Sequence, residues 1–164
     1  MSYLDYEVCK HTFGNLAAAG TTAVTSAVVD MQGFEEVEYE IVFGDNTSGS
    51  VVTIAAKENT ASSTSSPTPT AITLTLGSSA SGLGTAAVVT SGSLVVTCGA
   101  SDTDSKIVLV TLKKSAMTKR YQYVSVTPAT QNAVIASITV HQRGASAVPV
   151  TQSSDVIATA YAAA

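Results

Sequence analysis

Residues 34–44, FEEVEYEIVFG, constrain the fold of this chain more than any other stretch. Val37, Tyr39, Ile41 and Phe43 recur at every second position, with Glu36, Glu38 and Glu40 between them. A period of two sends alternate side chains to opposite faces, so the segment predicts a strand with one buried face and one wet, acidic face. Gly33 before it and GDNTSGS after it supply turn chemistry. The next segment, SVVTIAA, has room for a second strand, and a hairpin with the first is expected.

The same signature returns along the chain. ENTASSTSSPTPTA, residues 58–71, reads as a loop that Pro67 and Pro69 hold extended. AITLTLG alternates Ile72, Leu74 and Leu76 against Thr73 and Thr75, and SSASGLG after it reads as a turn. TAAVVTSGSLVVTCG holds two short strands pinched around Ser91 and Gly92. KIVLVTL is apolar on both faces, as a central strand covered on each side would be. RYQYVSV follows, and AVIASITVHQ sets Val134, Ala136, Ile138 and Val140 on one side. No segment keeps a helical period; TFGNLAAAGTTAVTSAVVD is Ala-rich, but its Thr, Val and Gly weigh against a long helix.

About eight short strands separated by turn signals predict an all-β protein, an antiparallel β-sandwich of jelly-roll-like type. The two ends differ from the middle. Residues 1–15 and 150–164 read as an N-terminal and a C-terminal arm around a sandwich domain at 16–149.

Composition narrows the function. Charged residues are 12% of the chain, about half the usual share of roughly 25%, and Ser, Thr, Ala, Gly and Val dominate. Such a surface suits permanent packing against other protein better than life as a free monomer. A net charge of -4 argues against nucleic acid, which is gripped through many Lys and Arg. Asp5 and Glu7 stand where a signal peptide needs basic and then apolar residues, and no apolar run approaches the roughly 20 residues of a membrane span. Synthesis in the cytoplasm is expected, with Cys9 and Cys98 as free thiols.

Catalytic and metal chemistry find little footing. His11 lies in the N-terminal arm, and His141 falls on the face opposite Val140, a surface position. There is no G-x-S-x-G elbow, no C-x-x-C and no H-x-x-x-H. GDNTSG and SDTDS cluster oxygens without the full spacing of a calcium loop, and GSSASGLG lacks the Lys and following helix of a phosphate loop. The comb of Glu36, Glu38 and Glu40 reads first as a solvated strand face that resists edge pairing. No catalytic residue, metal, cofactor or small-molecule substrate is expected.

The densest patch of charge and aromatics is TKRYQYVSVTP, residues 118–128, with Lys119, Arg120, Tyr121 and Tyr123. It admits two readings. Lys119 and Arg120 can mark the start of a strand, with Tyr121 and Tyr123 covering an edge of the core. The contact reading, which stays open beside it, has them meet a carboxylate on a neighbouring protein, the acidic comb of another subunit included.

The order of segments resembles small structural proteins of tailed bacteriophages. The likeness spans roughly residues 28–150 and rests on a D-x-x-G-[FY] strand ending in Gly, a later K-R-Y strand, and a last strand closing near Arg-x-x-x-x-x-Pro. Here these are Asp30, Gly33, Phe34 and Gly44, then Lys119, Arg120 and Tyr121, then Arg143 and Pro149. The resemblance implies a virion component, with several such proteins being capsid decoration (cement) proteins of β-sandwich fold. The partners it implies are the major capsid protein and copies of the chain itself. Expected contact residues are Lys119, Arg120, Glu36, Glu38, Glu40 and, in the C-terminal arm, Asp155, Val156, Ile157 and Tyr161. A head fibre, neck or tail protein is the alternative within the virion; a glycan- or cell-binding sandwich is the alternative outside it, disfavoured by the absence of Trp.

Overall fold

β4 (Glu36–Phe43) is the strand that the alternation predicts, and Val37, Tyr39, Ile41 and Phe43 are at most 1% exposed. The computed structural model describes residues 10–13, 23–44, 51–69, 72–78, 82–89, 93–97, 107–128 and 135–146. Among them are twelve strands, eight of which have five residues or more, and one 3₁₀ turn at Lys114–Ala116.

The first sheet runs β1 (Lys10–Phe13), β12 (Ile135–Arg143), β4, β10 (Ile107–Lys113), β7 (Ile72–Ser78), β8 (Gly82–Val89). The second centres on β11 (Tyr121–Pro128) and β5 (Val51–Asn59). β2 (Val24–Thr25) and β3 (Val29–Asp30) bridge to the outer edge of β11, while β6 (Thr68–Pro69) and β9 (Ser93–Thr97) pair with β5. All pairings are antiparallel, and the sheets pack face to face as an all-β sandwich. Both inner faces feed one core: Val37, Tyr39, Ile41 and Phe43 with Val108, Val110, Ile138 and Val140 from the first, Val52, Ile54, Ala56, Val124 and Val126 from the second. Each large side chain so buried contributes about 1.5–3 kcal/mol.

The pairing differs from the sequence reading in instructive ways. β4 and β5 form no hairpin: β4 has β10 and β12 on its two edges, and β5 crosses to the other sheet, where its apolar face covers the face of β4. The two strands expected to pinch around Ser91 and Gly92, β8 and β9, likewise belong to different sheets. Gly82 and Gly84, read as turn, belong to β8, whose pairing with β7 begins at Ser78 opposite Gly82. β10 is central but covered on one side only; Val108, Val110 and Leu112 face the core, whereas Ile107 is 45% exposed, because a two-layer sandwich covers one face of each sheet.

Three more corrections concern faces and ends. A register shift between Ile135 and Ser137 brings Ile135 into the core with Ile138 and Val140. On β11 the inward side chains are Gln122, Val124 and Val126, so Tyr121 and Tyr123 lie on the outer face instead of along the core. Tyr123 is buried there by the loop after β5: its hydroxyl donates to Thr64 O at 3.1 Å, and Asn59 Nδ2 pins that loop by donating to Ser63 O (2.9 Å) and Ser65 O (2.6 Å). Finally, Lys10–Phe13, assigned to the N-terminal arm, pairs with β12 as an edge strand. Residues 1–9 and 147–164, with Cys9, Pro149, Asp155, Val156, Ile157 and Tyr161, lie outside the described residues, as do Cys98, Val134, DNTSG after Gly44, and SDTDS.

Candidate functional site

The connection from β10 to β11, residues 114–120, turns a corner at one end of the sandwich, and its geometry follows from a few obligatory hydrogen bonds. Lys114 N donates to Glu35 O at 2.8 Å, and Met117 N closes the 3₁₀ turn on Lys114 O at 3.0 Å. Beyond it lies Glu58, 2% exposed near the end of β5. Its Oε2 accepts Thr118 N–H (2.8 Å) and Lys119 N–H (3.1 Å), and its Oε1 accepts the Thr118 hydroxyl (2.6 Å). A buried carboxylate with three donors is a satisfied one, and it ties the corner to the second sheet.

The two cations singled out in the sequence have partners within the chain. Lys119 Nζ donates to the hydroxyl of Thr68 on β6. Arg120 grips Asp30 with both prongs of its guanidinium, Nε to Oδ1 at 2.8 Å and Nη2 to Oδ2 at 2.5 Å. The pair is half exposed, and its hydrogen bond to Asp30 raises the Arg120 pKa above its ordinary range. The guanidinium also lies 5.2 Å from the centre of the Tyr121 ring.

Residues far apart in the chain close this corner. Met31 N donates to Arg120 O (3.0 Å), and Met31 to Phe34 form a turn, Phe34 N to Met31 O at 3.3 Å, with Gly33 at φ +85°. Positive φ at that position is what a type II turn demands. Ser146 N donates to Gly33 O (2.8 Å) and Glu35 N to Arg143 O (3.1 Å), while Gln142 Nε2 reaches Asp30 O at 2.7 Å. Asp30, Gly33, Phe34, Arg120, Tyr121 and Arg143 thus meet in one place. The exposed side of the corner is a groove of about 410 Å³ with Met31 and Met117 in its wall and Lys114, Lys119 and Arg120 around it.

The acidic comb lies elsewhere, on the outer face of the first sheet, and the fold does not bring it to Lys119 or Arg120 within one chain. It is only partly wet. Arg143 Nη2 donates to Glu38 Oε1 at 2.8 Å, leaving the Glu38 side chain 16% exposed, and His141 Nε2 stands 3.6 Å from Glu40. His141, expected on an open surface, is therefore half-buried against this row. Glu36 sits in register between Lys113 and Arg143. These contacts balance the row from neighbouring strands.

Sequence reasoning passed over Glu58, which reads there as the start of a polar loop. It also could not find the buried polar atoms of the core. Tyr39, fully enclosed, has a hydroxyl without a hydrogen-bond partner among the described residues, and burial raises its pKa well above the usual value. Among the described residues, no group of three or more His, Cys, Asp or Glu is placed to hold a metal ion, and no helix is long and apolar enough to cross a membrane. What the corner does chemically is hold the second sheet to the 114–120 connection by charge-assisted bonds at Glu58 and Arg120–Asp30, while neutral bonds from Gln142, Glu35 and Ser146 join the first sheet to the 30–35 turn. No protein-family model matches the chain, and no curated protein matches it.

Proposed function

We propose that this chain is a non-catalytic structural component of a tailed-phage virion, a decoration protein that binds the outer face of the head and bridges major capsid subunits. The observation that carries the reading is the corner: the segments on which the resemblance rests, around residues 30–34, 119–121 and 143, form one bonded unit in three dimensions. A two-layer sandwich poor in charge suits such a role, because many small contacts repeated by capsid symmetry add up to resistance against internal pressure. The groove beside Arg120 and the Glu36–Glu40 row are the described surfaces offered to the capsid.

Counting this protein against the major capsid protein in purified particles tests the reading. A fixed ratio typical of a whole lattice supports decoration; a handful of copies moves it to a fibre, neck or tail; absence from the particle overturns it. Replacing Lys119 and Arg120 together by Ala then asks whether the corner serves contact as well as folding. Weaker capture by capsids with an unchanged melting curve assigns them to the interface; a lower melting temperature with unchanged capture confines them to structure.

A further inference from the structure

Residues 59–101 contain no Asp, Glu, Lys or Arg; all eight basic and all twelve acidic residues lie outside this run. Its described strands are β6 to β9. β8 ends the first sheet, and β6 and β9 border β5 at the end of the second. Away from these strands, Gln142 Nε2 of β12 donates to Asp30 O of β3 at 2.7 Å.

Among the described residues β8 pairs with β7 alone. Folded proteins usually blunt such an edge with Lys, Pro or a bulge. This chain does so elsewhere: β6 ends on Pro69, and β1, the other edge of the same sheet, starts on Lys10. The irregularity in β7–β8 falls between Thr75 and Gly77, at the glycine-rich end; from Thr75 opposite Ala86 to Ile72 opposite Val89 the ladder is regular. Ala86 to Val89 is a regular edge with neither charge nor proline.

We propose that this edge pairs antiparallel with β8 of a second copy about a two-fold axis. In such a contact residue i of one strand meets residue j of its copy and j meets i, so charges of a single sign along the strand would face like charges. A charge-free strand joins itself without that repulsion, whereas capture of an acidic or basic partner would need complementary charges on β8. Main-chain hydrogen bonds supply the contact, as in other strand additions. The pairing is a property of the chain alone and stands or falls apart from the virion reading.

Register identifies where to test it. In the ladder, Leu109–Thr75–Ala86 and Thr111–Thr73–Val88 are the register rows that alternate with Val110–Leu74–Ala87, and Val110 belongs to the core. Sedimentation velocity of the full chain over a wide concentration range should show a monomer–dimer equilibrium. Ala86→Lys with Val88→Lys should weaken the dimer at least about tenfold at low salt, as should the same positions changed to Glu. Mixing the Lys and Glu variants should restore dimers, which separates a lost contact from a lost fold. In the wild type, amide exchange across 86–89 should slow as concentration rises. A wild-type monomer throughout, a dimer indifferent to the lysines, an assembly with three-fold closure, or exchange at 86–89 independent of concentration each overturns the proposal.

Discussion

Replacing Glu58 offers a sharp test of how the corner is held, because two substitutions have different expected costs from the same geometry. The carboxylate is 2% exposed and accepts three hydrogen bonds, from Thr118 N, Thr118 Oγ1 and Lys119 N. Glu58→Ala removes every acceptor and leaves a small cavity. With each bond worth about 1 kcal/mol, the value of an ordinary hydrogen bond, used because Thr118 is itself exposed, the loss comes to about 3 kcal/mol. Glu58→Gln keeps the shape. Its carbonyl oxygen can take the place of Oε2 and accept both backbone N–H groups, and its amide can donate to the Thr118 hydroxyl, which rotates to accept. Only the charge assistance is lost, so the expected cost is about 1 kcal/mol. Urea unfolding of wild type and both variants, compared at equal slope, measures the two numbers. A Gln variant as unstable as the Ala variant, or an Ala variant within about 1 kcal/mol of wild type, would refute the claim that these hydrogen bonds hold the corner.

Two further outcomes follow from particular atoms. Gly144 has φ +64°, and a Cβ there would stand 2.8 Å from Glu35 Cβ, so Gly144→Ala should cost about 2 kcal/mol or more, read from the same unfolding curves. Tyr39→Phe removes a buried hydroxyl without a partner among the described residues and should be neutral or stabilising near neutral pH. Burial raises the Tyr39 pKa above its unfolded value of about 10, so both states hold the proton below that pH and the unfolded state alone releases it above. Wild type should therefore lose stability as pH rises past about 10, and Tyr39→Phe should lose less, the difference being measured by unfolding midpoints at pH 9 and pH 11.

What could be read in the sequence was local, and what could not was a choice of partner. The period of two in residues 36–43 reports a half-buried strand because each side chain's face depends only on its immediate backbone. The same period says nothing about which strand lies alongside. β5 carries an equally good apolar face, yet that face covers β4 from the opposite sheet. Both arrangements bury the same side chains, and the edges of β4 are decided by β10 and β12, more than 60 residues further along the chain. Tyr121 and Tyr123 illustrate the reverse error. Their aromatic character suggests core, but the inward positions of β11 belong to Gln122, Val124 and Val126. Tyr123 is buried only because the loop after Asn59 folds across it. The candidate site follows the same logic. Lys119 and Arg120 stand out as unpaired charges in the sequence, and Asp30 is visible as a motif residue, but the bond between Asp30 and Arg120 forms only when β3 is laid against β11. Glu58 gave no signal at all, since a lone acid before a Ser/Thr-rich run is ordinary loop composition. Its importance arises because Glu58 lies opposite Gln122 in the β5–β11 ladder, so that the corner leading into β11 passes over its carboxylate. A charge near a strand end is therefore best judged by which backbone N–H groups the neighbouring strand's entry leaves unpaired, and in this fold that question has an answer only after the sheets are assembled.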